Sequence, residues 1–346
     1  MNKELLLEML STQSVSGREM PLTKKMKDYM TDFCDECTTD TTGNVYGRLN
    51  PEKPVSVLLS GHIDEIGMMV SGFSAEGYVY VAPVGGIRPQ QYLGQKVRIY
   101  SGDSIVYGAV GSASDLMGKK VECSDLWVDI GAMSKIEAMS YVKVGDRITF
   151  DTDYRELKNG RLSARAMDNR TGAFIVTEAL RMAKQKGCTI GAVASCTVGE
   201  ETTMRGAYSC AATFHPVCAI AVDVTYTYDY PYTDSHMGNV ELGKGPVLCE
   251  APIVNPKLNE NLEETAKELN MSYQWEVASR GTGTDADKMF YTNKGVPVAL
   301  VSLPLRYMHS PDEVGDYRDI EDCIELLAEF LCRFGTENNF SLNPLD

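Results

Sequence analysis

The chain has 346 residues, of which 43% are hydrophobic and 23% are charged. This balance is typical of a globular protein and excludes a disordered or fibrous chain, and the length suggests two domains or one large one. Acidic residues outnumber basic residues 48 to 33, for a formal net charge of −15, so neither a nucleic acid nor an anionic membrane surface is an expected partner.

The chain shows no sign of a membrane or export segment. No apolar run reaches the roughly 18 residues that a membrane span needs. The opening segment MNKELLLEML has acidic residues inside its apolar stretch and no small-residue cleavage site, so it predicts an amphipathic helix and not a signal peptide. The ten cysteines are expected to be free thiols, with Cys34 and Cys37 in a helical context. These features predict a cytoplasmic protein.

The pattern of helix-like and strand-like segments changes twice along the chain. Two helical segments come first, followed by the β-rich run PVSVLLSGHIDEIG. From about residue 70, short β-branched or alternating runs such as YVYVAPVGG and KVRIYSG are separated by Gly, Ser and Asp, which predicts a small β-barrel-like module. After about residue 162, helices alternate with strands. We therefore predict an α/β fold, an α/β/α sandwich with a mostly parallel or mixed sheet, into which the β-barrel-like module is inserted.

Two of the four histidines follow apolar, strand-like runs. His62 closes one run two residues before Asp64, and His309 follows VPVALVSLP. Strand ends are where α/β folds place their sites, and a metal-bound histidine usually donates its second ring N–H to a carboxylate, which Asp64 could supply. Each histidine alone is more often structural. His215 and His236 are expected to be structural or surface residues.

Acidic residues occupy similar positions. Asp168 precedes a helix and could be its N-cap. Glu200 and Glu201 close a buried strand, where their charges would repel each other unless a positive group holds them, although a solvated loop fits equally well. Asp223 lies among apolar residues, where a carboxylate is costly unless it is paired or bound to metal. Combined with two histidines, these carboxylates form a donor set that suits zinc, cobalt or manganese.

Six motifs carry a family resemblance. They are GHIDEIG (61–67), AMDNRTG (166–172), GEETTMRGA (199–207), AVDVT (221–225), GTGTDAD (281–287) and PLRYMHSPDE (304–313). Through them the sequence resembles the tetrahedral (TET) aminopeptidases, the glutamyl and deblocking aminopeptidases with a dinuclear metal centre. The resemblance implies a catalytic peptidase domain of residues 1–66 and 163–346, and an inserted β-rich domain of residues 67–162 for oligomerisation or substrate access. It also implies a homo-oligomer, a dodecamer built from dimers.

The same resemblance implies the chemistry of the site. It implies peptide substrates with a free N-terminus and two divalent metal ions per subunit, Zn²⁺ or Co²⁺ with Mn²⁺ as an alternative. Asp168 would bridge the ions, Glu200 would be the general base that deprotonates a metal-bridging water, and Asp64 would support His62. The implied metal ligands are His62, Asp168, Glu201, Asp223 and His309.

Other functions remain open at this point. A dinuclear metal deacylase of N-acyl amino acids would use the same five ligands. A metal-independent glycosidase needs only a pair of carboxylates and leaves His62 and His309 without a role, and a non-catalytic family member has no need of the whole set. The sequence departs from the family pattern at Thr202, Thr203 and Tyr226. None of these is an implied metal ligand, so the departures concern substrate preference.

Overall fold

A computed structural model describes residues 1–112, 120–233, 238–334 and 341–345, and His236 lies outside these ranges. None of the helices in the described ranges is both long enough and apolar enough to cross a membrane. The helices are α1 (Lys3–Ser11), α2 (Met20–Thr31), α3 (Lys135–Tyr141), α4 (Met167–Gln185), α5 (Glu200–Thr203), α6 (Arg205–Phe214), α7 (Pro256–Glu268), α8 (Ala286–Met289) and α9 (Tyr317–Phe334).

The strands fall into three sheets. They are β1 (Glu36–Thr39), β2 (Val45–Leu49), β3 (Val55–His62), β4 (Gly67–Phe73), β5 (Val79–Val84), β6 (Lys96–Ser101), β7 (Ser104–Ser112), β8 (Leu126–Asp129), β9 (Arg147–Phe150), β10 (Arg155–Glu156), β11 (Arg161–Ala164), β12 (Gly191–Thr197), β13 (Cys218–Tyr226), β14 (Val247–Glu250), β15 (Gln274–Val277), β16 (Val298–Leu305) and β17 (Glu313–Asp316).

The largest sheet has eight strands in the order β1-β2-β12-β3-β13-β16-β14-β15. Its centre is parallel, because β12, β3, β13 and β16 pair in that order in the parallel sense. The flanking strands β2 and β14 join this centre antiparallel. Every residue of β12 and β16 is buried, as expected for parallel strands covered by helices. The prediction of an α/β fold with a mixed sheet is confirmed.

Six other strands close a barrel in the order β4-β5-β8-β7-β6-β9. Neighbouring strands are antiparallel throughout. The barrel has its own hydrophobic core, which includes Met68, Val97 and Ile148 and is separate from the core of the large sheet. The predicted β-barrel-like module is therefore present. The chain then passes through β10 and β11, which form a small sheet with β17.

The prediction of a helical context for Cys34 and Cys37 is wrong. Helix α2 ends at Thr31, and Cys37 lies in β1, where it pairs with Gly47 of β2. The residues that follow, Thr38 and Thr39, are β-branched and favour a strand. All ten cysteines are free thiols, as the composition predicts.

A direct contact between backbones fixes the end of β3 against α4. A Cβ atom on Gly61 would stand 2.5 Å from the carbonyl carbon of Gly172 and 2.6 Å from the backbone nitrogen of Ala173. Only glycine allows the strand and the helix to approach this closely. Because Gly61 precedes His62 in the chain and α4 begins next to Asp168, this contact also sets the spacing of those two side chains.

The substitution Gly61→Ala should destabilise the protein. The added methyl group meets backbone atoms that cannot move aside, so we expect the free energy of unfolding to fall by about 1–3 kcal/mol. Chemical denaturation monitored by circular dichroism measures this change. Gly72→Ala is the matched control, because a Cβ atom there has its nearest neighbour, Tyr80 Cδ2, at an ordinary 3.6 Å. Equal midpoints for the two variants would contradict the packing argument.

Candidate metal centre

Polar side chains gather at the carboxyl edge of the central parallel strands. His62 is the last residue of β3, Asp223 lies near the end of β13, and His309 follows β16. Glu200 and Glu201 begin α5, which directly follows β12. Because parallel strands end at the same edge of a sheet, segments far apart in sequence meet there.

These side chains form two donor groups that share Asp168. The first group is His62, Asp168 and Asp223, and the second is Asp168, Glu201 and His309; within each group the donor atoms lie within 4.8 Å of one another. His62 Nε2 is 3.4 Å from Asp168 Oδ1, whereas His309 Nε2 is 3.2 Å from Asp168 Oδ2. The two oxygens of one carboxylate therefore face different groups, so this side chain can serve two ions.

Asp64 ties the ring of His62 to the start of α5. Its Oδ1 atom lies 3.4 Å from His62 Nδ1. The same carboxylate accepts the backbone N–H groups of Glu200 at 3.0 Å and of Glu201 at 3.3 Å, together with the hydroxyl of Ser16. Asp64 is fully buried. It thus lies behind the donor groups, where both its carboxylate and its backbone carbonyl oxygen, at 3.1 Å, face Nδ1 of His62 and can orient the ring.

Helix α5 is a single turn whose two adjacent carboxylates lie beside different histidines. It follows Gly199, whose φ of 69° is a conformation that favours glycine. Glu200 Oε2 lies 3.7 Å from His62 Nε2, and Glu201 Oε2 lies 3.8 Å from His309 Nε2. The turn therefore places one carboxylate beside each histidine.

Glu313 is a site residue that the sequence analysis missed. It begins β17, is buried, and accepts the backbone N–H of His309 at 2.8 Å on Oε1 and that of Asp168 at 3.1 Å on Oε2. One carboxylate thus fixes the main chain of a residue from each of two distant segments. It lies at the end of the motif PLRYMHSPDE, but the motif gives no sign that this acidic residue is buried.

Asp285 was missed for a similar reason. It lies in the motif GTGTDAD and is buried, accepting the hydroxyls of Ser60 at 2.7 Å and Thr197 at 2.6 Å. Its charge acts on Glu200. The sequence places Asp285 just before α8, where an acidic residue usually caps a helix, so its burial beneath the site could be found only from the fold.

Burial, together with neighbouring negative charges, raises the pKa of several of these carboxyls. Burial raises the pKa of Glu200 to about 8 against the opposing charge of His62, with Asp285 among the acidic neighbours that add to the rise. Burial, followed by the charge of Asp168, holds the pKa of Glu201 well above its usual range. Burial does the same for Asp223. The charge of His62 opposes these increases but does not cancel them.

The donor set fits divalent cations. Among the described residues, two buried carboxylate oxygens lack a hydrogen-bond partner, Oε1 of Glu201 in the second donor group and Oδ1 of Asp285, and an atom of this kind is costly unless something binds it. Imidazole nitrogens and carboxylate oxygens are the donors that Zn²⁺, Co²⁺ and Mn²⁺ accept. A cation in each group would balance part of the negative charge of the carboxylates. The cation in the second group could also bind Oε1 of Glu201.

The two donor groups form part of the wall of a cavity of about 330 Å³. This volume is enough for one amino-acid side chain and the adjoining peptide group. The donor residues and Glu200 line the cavity, whereas Asp64 does not. The other walls are Val224, Thr225, Tyr226, Cys249, Glu276, Ala278, Thr282, Gly283, Thr284, Leu300 and Met308.

Comparison with known proteins agrees with this geometry. Residues 43–326 match the model of a family described as M42 glutamyl aminopeptidase. The lysyl aminopeptidase of Pyrococcus furiosus is 34% identical over 340 residues, which cover 95% of this chain and 96% of that protein.

Solved structures give the same result. A TET aminopeptidase from a marine sediment archaeon of the Thaumarchaeota has a TM-score of 0.92, with 32% identity and 98% of each chain covered. The TET1 peptidase of Pyrococcus horikoshii, which can assemble into a tetrahedron or a large octahedral shell, has a TM-score of 0.85, with 26% identity over 95% of this chain and 98% of that chain. The predicted resemblance to TET aminopeptidases is confirmed, and the chain belongs to the M42 glutamyl aminopeptidase family.

Proposed function

We propose that this protein is a metal-dependent aminopeptidase that removes N-terminal residues from peptides with two divalent metal ions and Glu200 as general base. One observation carries the proposal: two donor groups share Asp168 in the wall of a cavity of substrate size. Family membership supports the reaction class. The crowded carboxyls and the unpartnered oxygen of Glu201 support the metal dependence.

Each donor group would hold one ion. Asp168 would contribute to both, through one oxygen to each. The ring orientations favour this assignment, because His309 Nδ1 is 3.1 Å from the carbonyl oxygen of Gly86 and His62 Nδ1 is 3.1 Å from that of Asp64. Each ring then donates from Nδ1 and leaves Nε2 free to bind metal. The ions would be Zn²⁺ or Co²⁺, with Mn²⁺ as an alternative.

Glu200 is placed to move the proton in hydrolysis. Bound divalent cations would lower the pKa of the attacking water and polarise the scissile carbonyl. Glu200 takes a proton from that water and returns it to the leaving amine. The backbone of Glu200 is anchored on Asp64, and its side chain lines the cavity beside the first donor group. Burial raises the pKa of Glu200, and nearby cations would lower that pKa and favour the ionised form that accepts a proton.

Assembly and domain roles belong to the same proposal. Residues 1–66 and 163–346 would form the catalytic domain, and residues 67–162 an inserted domain that takes part in oligomerisation or substrate access. The assembly of the P. horikoshii relative into a tetrahedron or a large octahedral shell supports a homo-oligomer, and a dodecamer built from dimers is the form that we propose. Exposed apolar side chains in the inserted segment, Tyr107, Ile136 and Met139, suit contacts between subunits. The ten free thiols fit a reducing compartment such as the cytoplasm.

A dinuclear deacylase of N-acyl amino acids is the main alternative, and one experiment separates the two. We expect aminoacyl amides with a free α-amine to be hydrolysed, activity to disappear on chelation with EDTA, and Zn²⁺, Co²⁺ or Mn²⁺ to restore it. N-acetylated versions of the same amides are the matched control and should not be cleaved. Cleavage of only the acetylated compounds would favour the deacylase, and activity that survives chelation would contradict the metal site.

Removing the base should leave the metal site intact. Glu200→Gln keeps the shape of the side chain but cannot take a proton, so we expect turnover to fall by about 10²–10⁴-fold. Metal content, measured by mass spectrometry of the purified variant, should stay at the wild-type level. A variant with full metal and unchanged turnover would remove Glu200 from this role.

The two hydrogen bonds that Glu313 accepts from the backbone of Asp168 and His309 give a separate prediction about metal affinity. In Glu313→Gln the amide nitrogen cannot accept a backbone N–H, so one of the two contacts to Asp168 and His309 is lost. We expect metal affinity to weaken about 10-fold or more, the usual cost of losing a group that orients a ligand. Titration of the metal-free protein with Co²⁺ measures it. Asp312→Asn is the matched control, because it removes the same charge from an exposed residue one position away. This variant should bind Co²⁺ as tightly as the wild type.

A further inference from the structure

We propose that Glu276 makes the cavity selective for a basic N-terminal residue, lysine or arginine, and against an acidic one. The inference rests on the proposed aminopeptidase function, because it assigns the part of the same cavity that receives the side chain of the residue to be removed.

The side chain of Glu276 extends from the edge of the large sheet towards its centre. Glu276 lies in β15, next to Cys249 of β14. Its Oε1 atom accepts the hydroxyl of Ser302 in β16 at 2.6 Å, and its Oε2 atom accepts the hydroxyl of Thr225 in β13. The carboxylate is thus held in a fixed position in the cavity wall, with partners from two strands of the parallel centre.

The charge of Glu276 has no counterpart in the site. Five carboxylates line the cavity. Four of them belong to the proposed catalytic centre, where their charges would balance those of two divalent cations: Asp168, Glu200, Glu201 and Asp223. The negative charge of Glu276 is then not balanced. Both of its hydrogen-bond partners are neutral hydroxyls. The described residues that line the cavity include no lysine or arginine. Burial raises the pKa of Glu276, so the ionised side chain is costly until a cation from outside the protein pairs with it.

The surroundings of Glu276 fit a long side chain with a charged tip. Cys249, Leu300 and Met308 are buried, apolar residues of the same cavity. They can pack against the methylene groups of lysine or arginine while the charged end reaches the carboxylate. A carboxylate whose two oxygens each accept one hydroxyl still has lone pairs for an ammonium or guanidinium group. A glutamyl or aspartyl side chain would instead bring a second negative charge to it.

Norleucine isolates the contribution of the ammonium group, because its aliphatic side chain has nearly the length of lysine and no charge. We would measure kcat/KM of the metal-loaded wild type for lysyl, norleucyl and glutamyl amides. The expected ratio of lysyl to norleucyl is about 10- to 100-fold, the usual effect of a hydrogen bond to a charged group. The glutamyl amide should be the poorest of the three. Inhibition constants of free lysine and free norleucine should give the same order without turnover.

Glu276→Gln is the test variant, because glutamine keeps the size of the side chain but not the charge. We expect the ratio of lysyl to norleucyl to fall to about one, because the lysyl amide loses more kcat/KM than the norleucyl amide does. Glu250→Gln is the matched control: Glu250 is exposed, belongs to the neighbouring strand β14 and does not line the cavity. That variant should keep the wild-type ratio.

The remaining outcomes distinguish two kinds of failure. If Glu276→Gln lowers kcat/KM for all three amides equally, Glu276 does not distinguish between substrate side chains and the inference is overturned. A wild type that prefers glutamyl amide, or an unchanged ratio in the variant, overturns it as well. Norleucyl amide reports on the reaction itself. If the metal-loaded wild type leaves all three amides intact, the proposed function fails and the inference with it.

Discussion

The site depends on the mutual repulsion of carboxylates that the fold forces together at one edge of a sheet. Asp168, Glu201 and Asp223 are held within reach of two histidines in a cluster that is mostly shielded from water. Their negative charges are costly there, because burial first and neighbouring carboxylates second raise the pKa of Glu201 and of Asp223. Cations shared through Asp168 would turn the repulsion into binding energy, which is the physical basis of the proposed metal centre.

The rest of the protein keeps the cluster from relaxing. The glycine at position 61 lets β3 press directly on α4, and Asp64 joins the ring of His62 to the backbone of α5. Glu313 connects the main chain at Asp168 to that at His309. Each of these contacts links segments that are far apart in sequence. The donor atoms therefore keep their spacing because the surrounding groups hold them, at a cost that the large hydrophobic core can offset.

Much of the fold and of the candidate site could be predicted from the sequence, for an identifiable reason. Buried parallel strands read as apolar runs, so a polar residue at the end of one stands out, as His62 and Asp223 do. Glu276 and Glu313 do not stand out, because their positions depend on long-range strand pairing that local patterns do not encode. The prediction of a helical context for Cys37 was wrong for another reason: a four-residue strand is too short to show the alternation of side chains that identifies a strand.

The hydrogen bond between His309 and Gly86 links the two halves of the architecture. Gly86 lies in the loop after β5, within the segment that builds the barrel, whereas His309 follows a strand of the large sheet. The donor group that contains His309 therefore takes part of its support from the segment that builds the barrel. Evolution of this scaffold is constrained accordingly. The loop that carries Gly86 must keep its path for as long as the second histidine has to face Asp168.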